Sequence, residues 1–481
     1  MSEQLLNTMK ILKLVMDNPV SRAILRAGTG KCKAGKARLE HALEIFSGIS
    51  EPHSLSCRLY SGMIDLILSG GARIFNVKKE AISDYFKETV TRRGVLSVLR
   101  GIASHGIVAP QILDAPFLVV WNYTNLCNLK CKHCYQSAGQ EASDELTTEE
   151  RRKVIDELYD AGVVSIAFSG GEPLMRRDFY EIAEMASSKG IYVALASNGT
   201  LITKKTAKKL VKAGVHYIEI SLDSTIPEVH DSFRGVKGAF EKTMEGIKNC
   251  VDVGIYTCIA TTITKLNFKN VKDVIALAEE VGAYRCIFFN FIPEGRGKDI
   301  VDLDLTPEER EEVLRQLTMS AMERKIEILS TAPQFARVNL QFSEGKVIAP
   351  THFYIGGGSD ALRVLAEFIG GCGAGRLYCA LQPNGDVTPC VFMRNLIVGN
   401  IIKEDFLDIW QNNEVMKLLR DRSKLKGHCK NCEYKFVCGG CRARALAYFD
   451  DIMGPDPGCI NNIQYYNTLL KVIAKPQHIV S

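Results

Sequence analysis

Six short apolar runs, each followed by an amphipathic stretch, fill the middle of this chain and restrict its fold more than any other feature. They occupy residues 117–124, 163–168, 192–197, 217–222, 256–263 and 285–291. Helical stretches such as 204–213 and 270–281 lie between them. Thr147-Thr-Glu-Glu150 has the form of a capping box that opens one of these helices, with Val154, Ile155 and Leu158 on its apolar face. Strands that alternate with helices pair through crossovers and not through hairpins, so the pattern predicts a parallel sheet wrapped by helices. Six such units in series predict an α/β fold: a partial (β/α)6 barrel of the TIM type. Barrels of this kind carry their chemistry at the carboxyl ends of the strands. Three polar segments fall there: a cysteine-rich loop after 117–124, Gly170-Gly-Glu-Pro173 after 163–168, and Ser197-Asn-Gly199 after 192–197.

The cysteine loop reads Cys127-x3-Cys131-x2-Cys134, with Tyr135 directly behind it. Three thiolates are one short of the four that close a tetrahedral zinc site or fill a [4Fe–4S] cluster. One reading is a cluster with an iron left open for a small molecule. The other is a zinc knuckle that recruits a distant fourth ligand, for which His133 is available. The two glycines after the second strand allow close approach of backbone to a ligand, and they also serve an ordinary tight turn.

Taken together, these segments resemble the radical S-adenosylmethionine (SAM) enzymes. The resemblance implies a site-differentiated [4Fe–4S] cluster on Cys127, Cys131 and Cys134, whose open iron is chelated by SAM. It implies further that Gly170, Gly171, Glu172 and Pro173 receive the SAM ammonium, and that Ser197, Asn198, Ser221 and Asp223 meet its carboxylate and ribose. Tyr135 counts among the cofactor contacts. Arg234 pairs with the SAM carboxylate on this reading, since a guanidinium fork suits that geometry. A salt bridge at the surface is the other use for it.

A second constellation follows: Cys372-x6-Cys379-x10-Cys390, then Cys429-x2-Cys432-x5-Cys438-x2-Cys441, and lastly Cys459. Zinc ribbons use such C-x2-C pairs. Behind a radical SAM barrel, however, the run resembles the SPASM domain, which carries two auxiliary clusters. That resemblance implies one [4Fe–4S] cluster on Cys372, Cys379, Cys390 and Cys441 and another on Cys429, Cys432, Cys438 and Cys459, for three clusters in all. In the anaerobic sulfatase-maturating relatives an Asp follows the cysteine that matches Cys390 and acts as a base. Here the position is Val391, which disfavours formylglycine formation unless another group such as Asp386 takes the role.

With 481 residues the chain is long enough for two or three domains. The expected division is a mostly helical extension over 1–113, the barrel over 114–332, a linker or lid over 333–371, the SPASM region over 372–462, and a C-terminal helix or tail over 463–481. The linker contains His352 and a glycine triplet, 356–358, that suits a flexible loop. Sixteen cysteines in a chain of this size that opens without a signal-peptide pattern fit a reducing, cytoplasmic and anaerobic setting. Cys250, Cys258 and Cys286 fall in barrel segments as small hydrophobes, and Cys32 and Cys57 have no assigned role. A net charge of +5 is too small to argue for nucleic acid. The extension places Leu5, Met9, Leu12, Leu14 and Val15 on one helical face, and Leu66, Ile67 and Ile74 on another. Basic residues cluster at Lys31, Lys33, Lys36 and Arg38, and again at Arg92, Arg93 and Arg100. That pattern fits a helical cap on the barrel; peripheral membrane contact or a grip on a large apolar substrate is the alternative.

The expected activity is oxidative radical chemistry. SAM is cleaved reductively to a 5′-deoxyadenosyl radical, which abstracts hydrogen from a peptide or protein substrate for modification or cross-linking. A tetrapyrrole side chain or a membrane lipid is the alternative substrate. A non-catalytic electron-transfer or zinc-scaffold protein is the alternative of another class. Ferredoxin or flavodoxin is the expected electron donor. The acid or base of the reaction is unassigned from the sequence.

Overall fold

The computed structural model describes residues 17–33, 35–74, 78–349, 355–356 and 361–467. The predicted face over Leu5–Val15, His352 and the last two glycines of the triplet lie outside them, as does most of the expected C-terminal tail.

All six predicted strands are present. They are β1 (Leu118–Thr124), β2 (Ser165–Gly170), β3 (Tyr192–Ser197), β4 (Val215–Ser221), β5 (Tyr256–Ile263) and β6 (Arg285–Asn290), and each pairs in parallel with the next. The structure adds a strand to each edge. On one side β7 (Glu327–Ser330) pairs in parallel with β6. A small hairpin follows, β8 (Val347–Ile348) with β9 (Ile355–Gly356). On the other side β10 (Tyr378–Leu381), from the cysteine-rich region, pairs in parallel with β1. It then continues antiparallel through β11 (Asp386–Thr388) to β12 (Gly399–Asn400). The ten-stranded sheet thus runs β12-β11-β10-β1-β2-β3-β4-β5-β6-β7. Barrel and SPASM region share one sheet, and a site between them is held by both.

The predicted capping box is made in full. Thr147 accepts from the Glu150 amide, and the Glu150 side chain accepts from the Thr147 amide. Such a reciprocal cap satisfies two of the orphan donors at a helix start. The core between sheet and outer helices includes Val119, Ile166, Val193, Ile218, Ile259 and Phe288, the residues of each strand that alternate away from the barrel interior. Cys250, Cys258 and Cys286 are all buried, as expected. The expected linker 333–371 is structured in part: it holds helices Gln334–Phe342 and Ala361–Ile369 and the β8–β9 hairpin.

The N-terminal extension is helical. Its elements are α1 (Pro19–Thr29), α2 (Arg38–Phe46), α3 (Leu55–Ile74), α4 (Lys79–Tyr85) and α5 (Thr89–His105). These helices have a core of their own that includes Leu25, Leu39, Leu43, Ile64, Phe86, Leu96 and Ile102. Helix α5 fastens the layer to the barrel. Arg93 Nη2 donates to the Val163 carbonyl at 2.7 Å. A side chain at Gly94 would meet Phe117 and Val164. Phe117, Val163 and Val164 all precede their strands, so the helical layer covers the amino ends of the strands, the end opposite the predicted site. Among the described residues no helix is long and apolar enough to cross a membrane.

Candidate active site

The loop after β1 carries Cys127, Cys131 and Cys134 to the carboxyl end of the sheet, where all three line one cavity. Two backbone amides point at these sulfurs: Leu129 N lies 3.5 Å from Cys127 Sγ and Ala138 N lies 3.4 Å from Cys134 Sγ. Arg296 braces the loop, donating through Nε to the Cys131 carbonyl at 2.9 Å and through Nη1 to the Ala138 carbonyl at 2.7 Å. Burial pushes the Cys127 thiol up to about 12, against the Leu129 amide, which lowers it. Three inward-facing thiols, two of them with amide donors, are a donor set suited to iron, and they fit an iron–sulfur cluster. His133 lines the same cavity. Its ring stacks on Phe233 at 4.1 Å between centroids, and burial drives its pKa down to about 3.

The Gly-Gly turn has a structural reason of its own. Gly170 has φ +109°, and a Cβ there would stand 2.7 Å from the Thr124 carbonyl; a Cβ on Gly171 would stand 2.2 Å from that of Leu126. The turn therefore lies directly against the root of the cysteine loop. Gly171 N donates to Thr124 O at 2.7 Å and Glu172 N to Leu126 O at 2.8 Å. The close approach predicted for these glycines is to the chain's own loop, and both also line the cavity.

Glu172 and Pro173, expected as SAM contacts, are buried beside the cavity. The Glu172 carboxylate accepts from Ser197 Oγ at 2.9 Å, from the Asn198 amide at 2.8 Å and from the Leu174 amide at 3.3 Å. Its acceptors serve the neighbouring strand end, which makes it a positioning residue for Ser197 and Asn198. Burial raises it to about 7, opposed by those hydrogen bonds. Asp223 is likewise engaged by a neighbouring side chain. It is buried, does not line the cavity, and its Oδ2 lies 2.7 Å from Arg234 Nε. Burial works to raise the Asp223 carboxyl, yet Arg234 beside it, with His133 and His230, holds it below the usual carboxylate range. Arg234 is thus buried, not at the surface. It lines the cavity with Nη1 3.7 Å from Cys131 Sγ. Ser197, Asn198, Ser221 and Tyr135 line it as well. The Tyr135 hydroxyl donates to Asn122 Oδ1 at 3.0 Å and lies 3.2 Å from Ser169 Oγ.

The opposite wall comes from the SPASM region. Cys372, Cys390 and Cys441 face this same cavity with Tyr378, whose hydroxyl donates to Cys390 Sγ at 2.8 Å. Cys379 does not. On β10, Tyr378 points into the cavity, and strand alternation turns Cys379 outward into the core shared by Val119, Trp410 and Met416. The fourth ligand predicted for this cluster is therefore absent from its thiol set. The other predicted set converges completely: Cys429, Cys432, Cys438 and Cys459 line a second, smaller cavity. Asn462 Nδ2 and Gly440 N supply donors to Cys429 and Cys438 sulfur, each at 3.3 Å. Val391 lines the main cavity, whereas Asp386 is held in its hairpin by Asn384 and Asn400.

A family model described as the radical SAM superfamily matches residues 121–281, and one described as an iron–sulfur cluster-binding domain, SPASM, matches residues 372–433. AdoMet-dependent heme synthase of Methanosarcina barkeri is 38% identical over 352 residues, spanning 72% of this chain and 97% of that protein. The chain belongs to the radical SAM superfamily. Mycofactocin maturase MftC of Mycolicibacterium smegmatis is 32% identical, over 72% of this chain and 83% of its own. Among solved structures, Streptococcus suis SuiB bound to S-adenosylmethionine superposes with a TM-score of 0.62 over 88% of this chain and 92% of its own. At 17% identity that is a likeness of fold. As a radical SAM/SPASM enzyme the chain uses SAM and iron–sulfur clusters, which agrees with the chemistry of the thiol sets.

Sequence reasoning missed two groups on the cavity wall. Glu219 faces inward from the middle of β4, its Oε1 accepting from the Tyr217 hydroxyl at 3.0 Å, and burial raises its pKa. A carboxylate inside the apolar run Tyr217-Ile-Glu-Ile220 was the available signal. Tyr378 gave none, because the four residues of β10 are too few to show a period.

Proposed function

We propose that this radical SAM/SPASM enzyme modifies the side chain of a tetrapyrrole, and that it holds three clusters, on Cys127/Cys131/Cys134, on Cys372/Cys390/Cys441 and on Cys429/Cys432/Cys438/Cys459. The observation that carries the chemistry is one cavity with three thiols on the barrel wall and three more on the SPASM wall. When bound, the first cluster and SAM supply a 5′-deoxyadenosyl radical able to take hydrogen from an unactivated carbon. The chain's part is to orient and to shield. Arg234, fixed by Asp223, offers its remaining guanidinium edge to the SAM carboxylate, and Ser197, Asn198 and Ser221 offer polar groups on the same wall. The tetrapyrrole class is supported by the 38% identity to a heme synthase. It is also supported by the flat apolar walls that Phe289, Phe291, Phe392 and Tyr378 give the cavity. The similarity to a mycofactocin maturase favours a peptide as the second reading.

An acidic carrier, ferredoxin or flavodoxin, suits the SPASM end as electron donor. Arg337 and Lys435 line the second cavity, exposed Lys430 adjoins Cys429 in the chain, and Cys432 is half-exposed there. The test is anaerobic turnover of the reconstituted enzyme with SAM, a reductant and iron porphyrins bearing propionate side chains. The expected result is substrate-dependent 5′-deoxyadenosine together with a changed porphyrin mass. Uncoupled SAM cleavage that no iron porphyrin stimulates would overturn the tetrapyrrole reading and leave the peptide.

A further inference from the structure

Cys32, His41 and Cys57 belong to no feature of the catalytic cavity. The N-terminal helical layer nevertheless brings them to one point. Cys32 sits in the tight turn between α1 and α2, where its amide donates to the Lys36 carbonyl at 2.7 Å and Gly35 N donates back to its carbonyl at 3.0 Å. His41 is on α2 and Cys57 on the first turn of α3, both buried. Cys32 Sγ, Cys57 Sγ and a His41 ring nitrogen all fall within 4.8 Å of one another. We propose that these three side chains bind a divalent zinc ion that clasps α1, α2 and α3 together.

Four observations carry this. The first is donor chemistry: two thiolates and an imidazole form the mixed sulfur–nitrogen set that zinc prefers over harder cations. The second is spacing. A tetrahedral zinc with Zn–S of ~2.3 Å and Zn–N of ~2.0 Å separates sulfur from nitrogen by about 3.5 Å. Cys32 Sγ lies 3.7 Å from His41 Nδ1. The third is orientation of the ring. His41 Nε2 is 3.0 Å from Ser50 Oγ; with Nε2–H donating there, Nδ1 carries the lone pair and turns it to the two sulfurs. This is the outer hydrogen bond that metal-binding histidines normally make. The fourth is support for the buried thiol: Ser54 Oγ donates to Cys57 Sγ at 3.1 Å, and the His53 ring stacks on that of His41 at 5.0 Å. Cys32 is the partly exposed member, so the ion enters from its side and takes its fourth ligand from solvent.

The ion is structural, because the layer it ties covers the amino ends of the strands, away from the cluster cavity. The experiment measures zinc, iron and sulfide together on full-length protein purified anaerobically, with zinc-edge X-ray absorption to read the donors. About one zinc per chain beside undiminished iron is expected, with two sulfur neighbours and one histidine. Cys32→Ser and His41→Gln should each lower zinc at least about tenfold, since loss of one of three protein donors removes the chelate, with iron content and SAM cleavage unchanged. Cys32 is on a surface turn, so its variant folds even if one at Cys57 does not. A zinc content near zero in the native protein overturns the proposal. So does zinc that survives the Cys32→Ser change, or a Cys32–Cys57 disulfide found by alkylation and mass spectrometry.

Discussion

A single side-chain direction separates two versions of the first auxiliary site. Cys379 is fully buried on the outer face of β10, and burial alone pushes its thiol well up. Its removal therefore concerns packing and not iron. Cys379→Ala should leave the iron content at about twelve per chain, as three cubane clusters require, and cost on the order of 1 kcal/mol from the lost core contacts. Cys390→Ala and Cys441→Ala should each lower iron by about four. Iron and sulfide counts on the three reconstituted variants decide it, and a loss of four irons in Cys379→Ala would restore the four-cysteine set. Glu172 is the other residue whose role turned on geometry. Its folded pKa of about 7 lies above its ordinary 4.5, so the stability it contributes is fully present below about 4.5 and is lost as pH rises through about 7. A shift of that size corresponds to roughly 3 kcal/mol for a fully buried group. Urea midpoints compared between wild type and Glu172→Gln should diverge across this window in that direction. Parallel pH profiles would show that Glu172 is not the titrating group.

At the scale of elements, Gly171 shows how strand, turn and cysteine loop depend on one another. A methyl group at this position would meet backbone at 2.2 Å, and carbonyl oxygens do not yield as side-chain tips do. Gly171→Ala should therefore displace the cysteine loop and abolish 5′-deoxyadenosine formation, while the auxiliary clusters remain visible by electron paramagnetic resonance. Persisting SAM cleavage would mean that the turn adjusts without the loop. Much of this arrangement was legible in the sequence. The six strands, the Thr147 capping box and the three leading cysteines announced themselves through period and spacing. What stayed hidden was set by contacts remote in sequence. Strand β10 is four residues long, so nothing local reveals which of Tyr378 and Cys379 faces inward. Asp223 and Arg234 were both legible as polar residues after β4, but not that one would neutralise the other. Cys32, His41 and Cys57 had no common pattern, since three helices must fold before they meet.

At the scale of the molecule, barrel, SPASM region and N-terminal layer are knit at both ends of one sheet. At the carboxyl end, Asp304 bridges Arg310 at 2.7 Å and Arg444 at 2.5 Å and accepts from the Tyr448 hydroxyl at 2.7 Å, joining the barrel to the last SPASM helix. At the amino end, Arg376, fully buried, donates to the Gln111 carbonyl at 3.0 Å, and Trp410 Nε1 donates to that of Leu113 at 2.9 Å. Deleting residues 1–113 would take one acceptor from Arg376, leave Trp410 Nε1 unpaired and uncover the seat of α5 on Phe117 and Val164. Exposing even ~500 Å² of apolar surface forfeits on the order of 12 kcal/mol at ~25 cal/mol per Å². That matches the whole stability of a typical domain. The truncated chain should aggregate or lose its clusters, although every thiol of the three proposed cluster sites lies beyond residue 117. Solubility and iron content of the truncation check this directly. A soluble, iron-replete truncation that still cleaves SAM would show that the helical layer is an accessory to the barrel and not part of its cover.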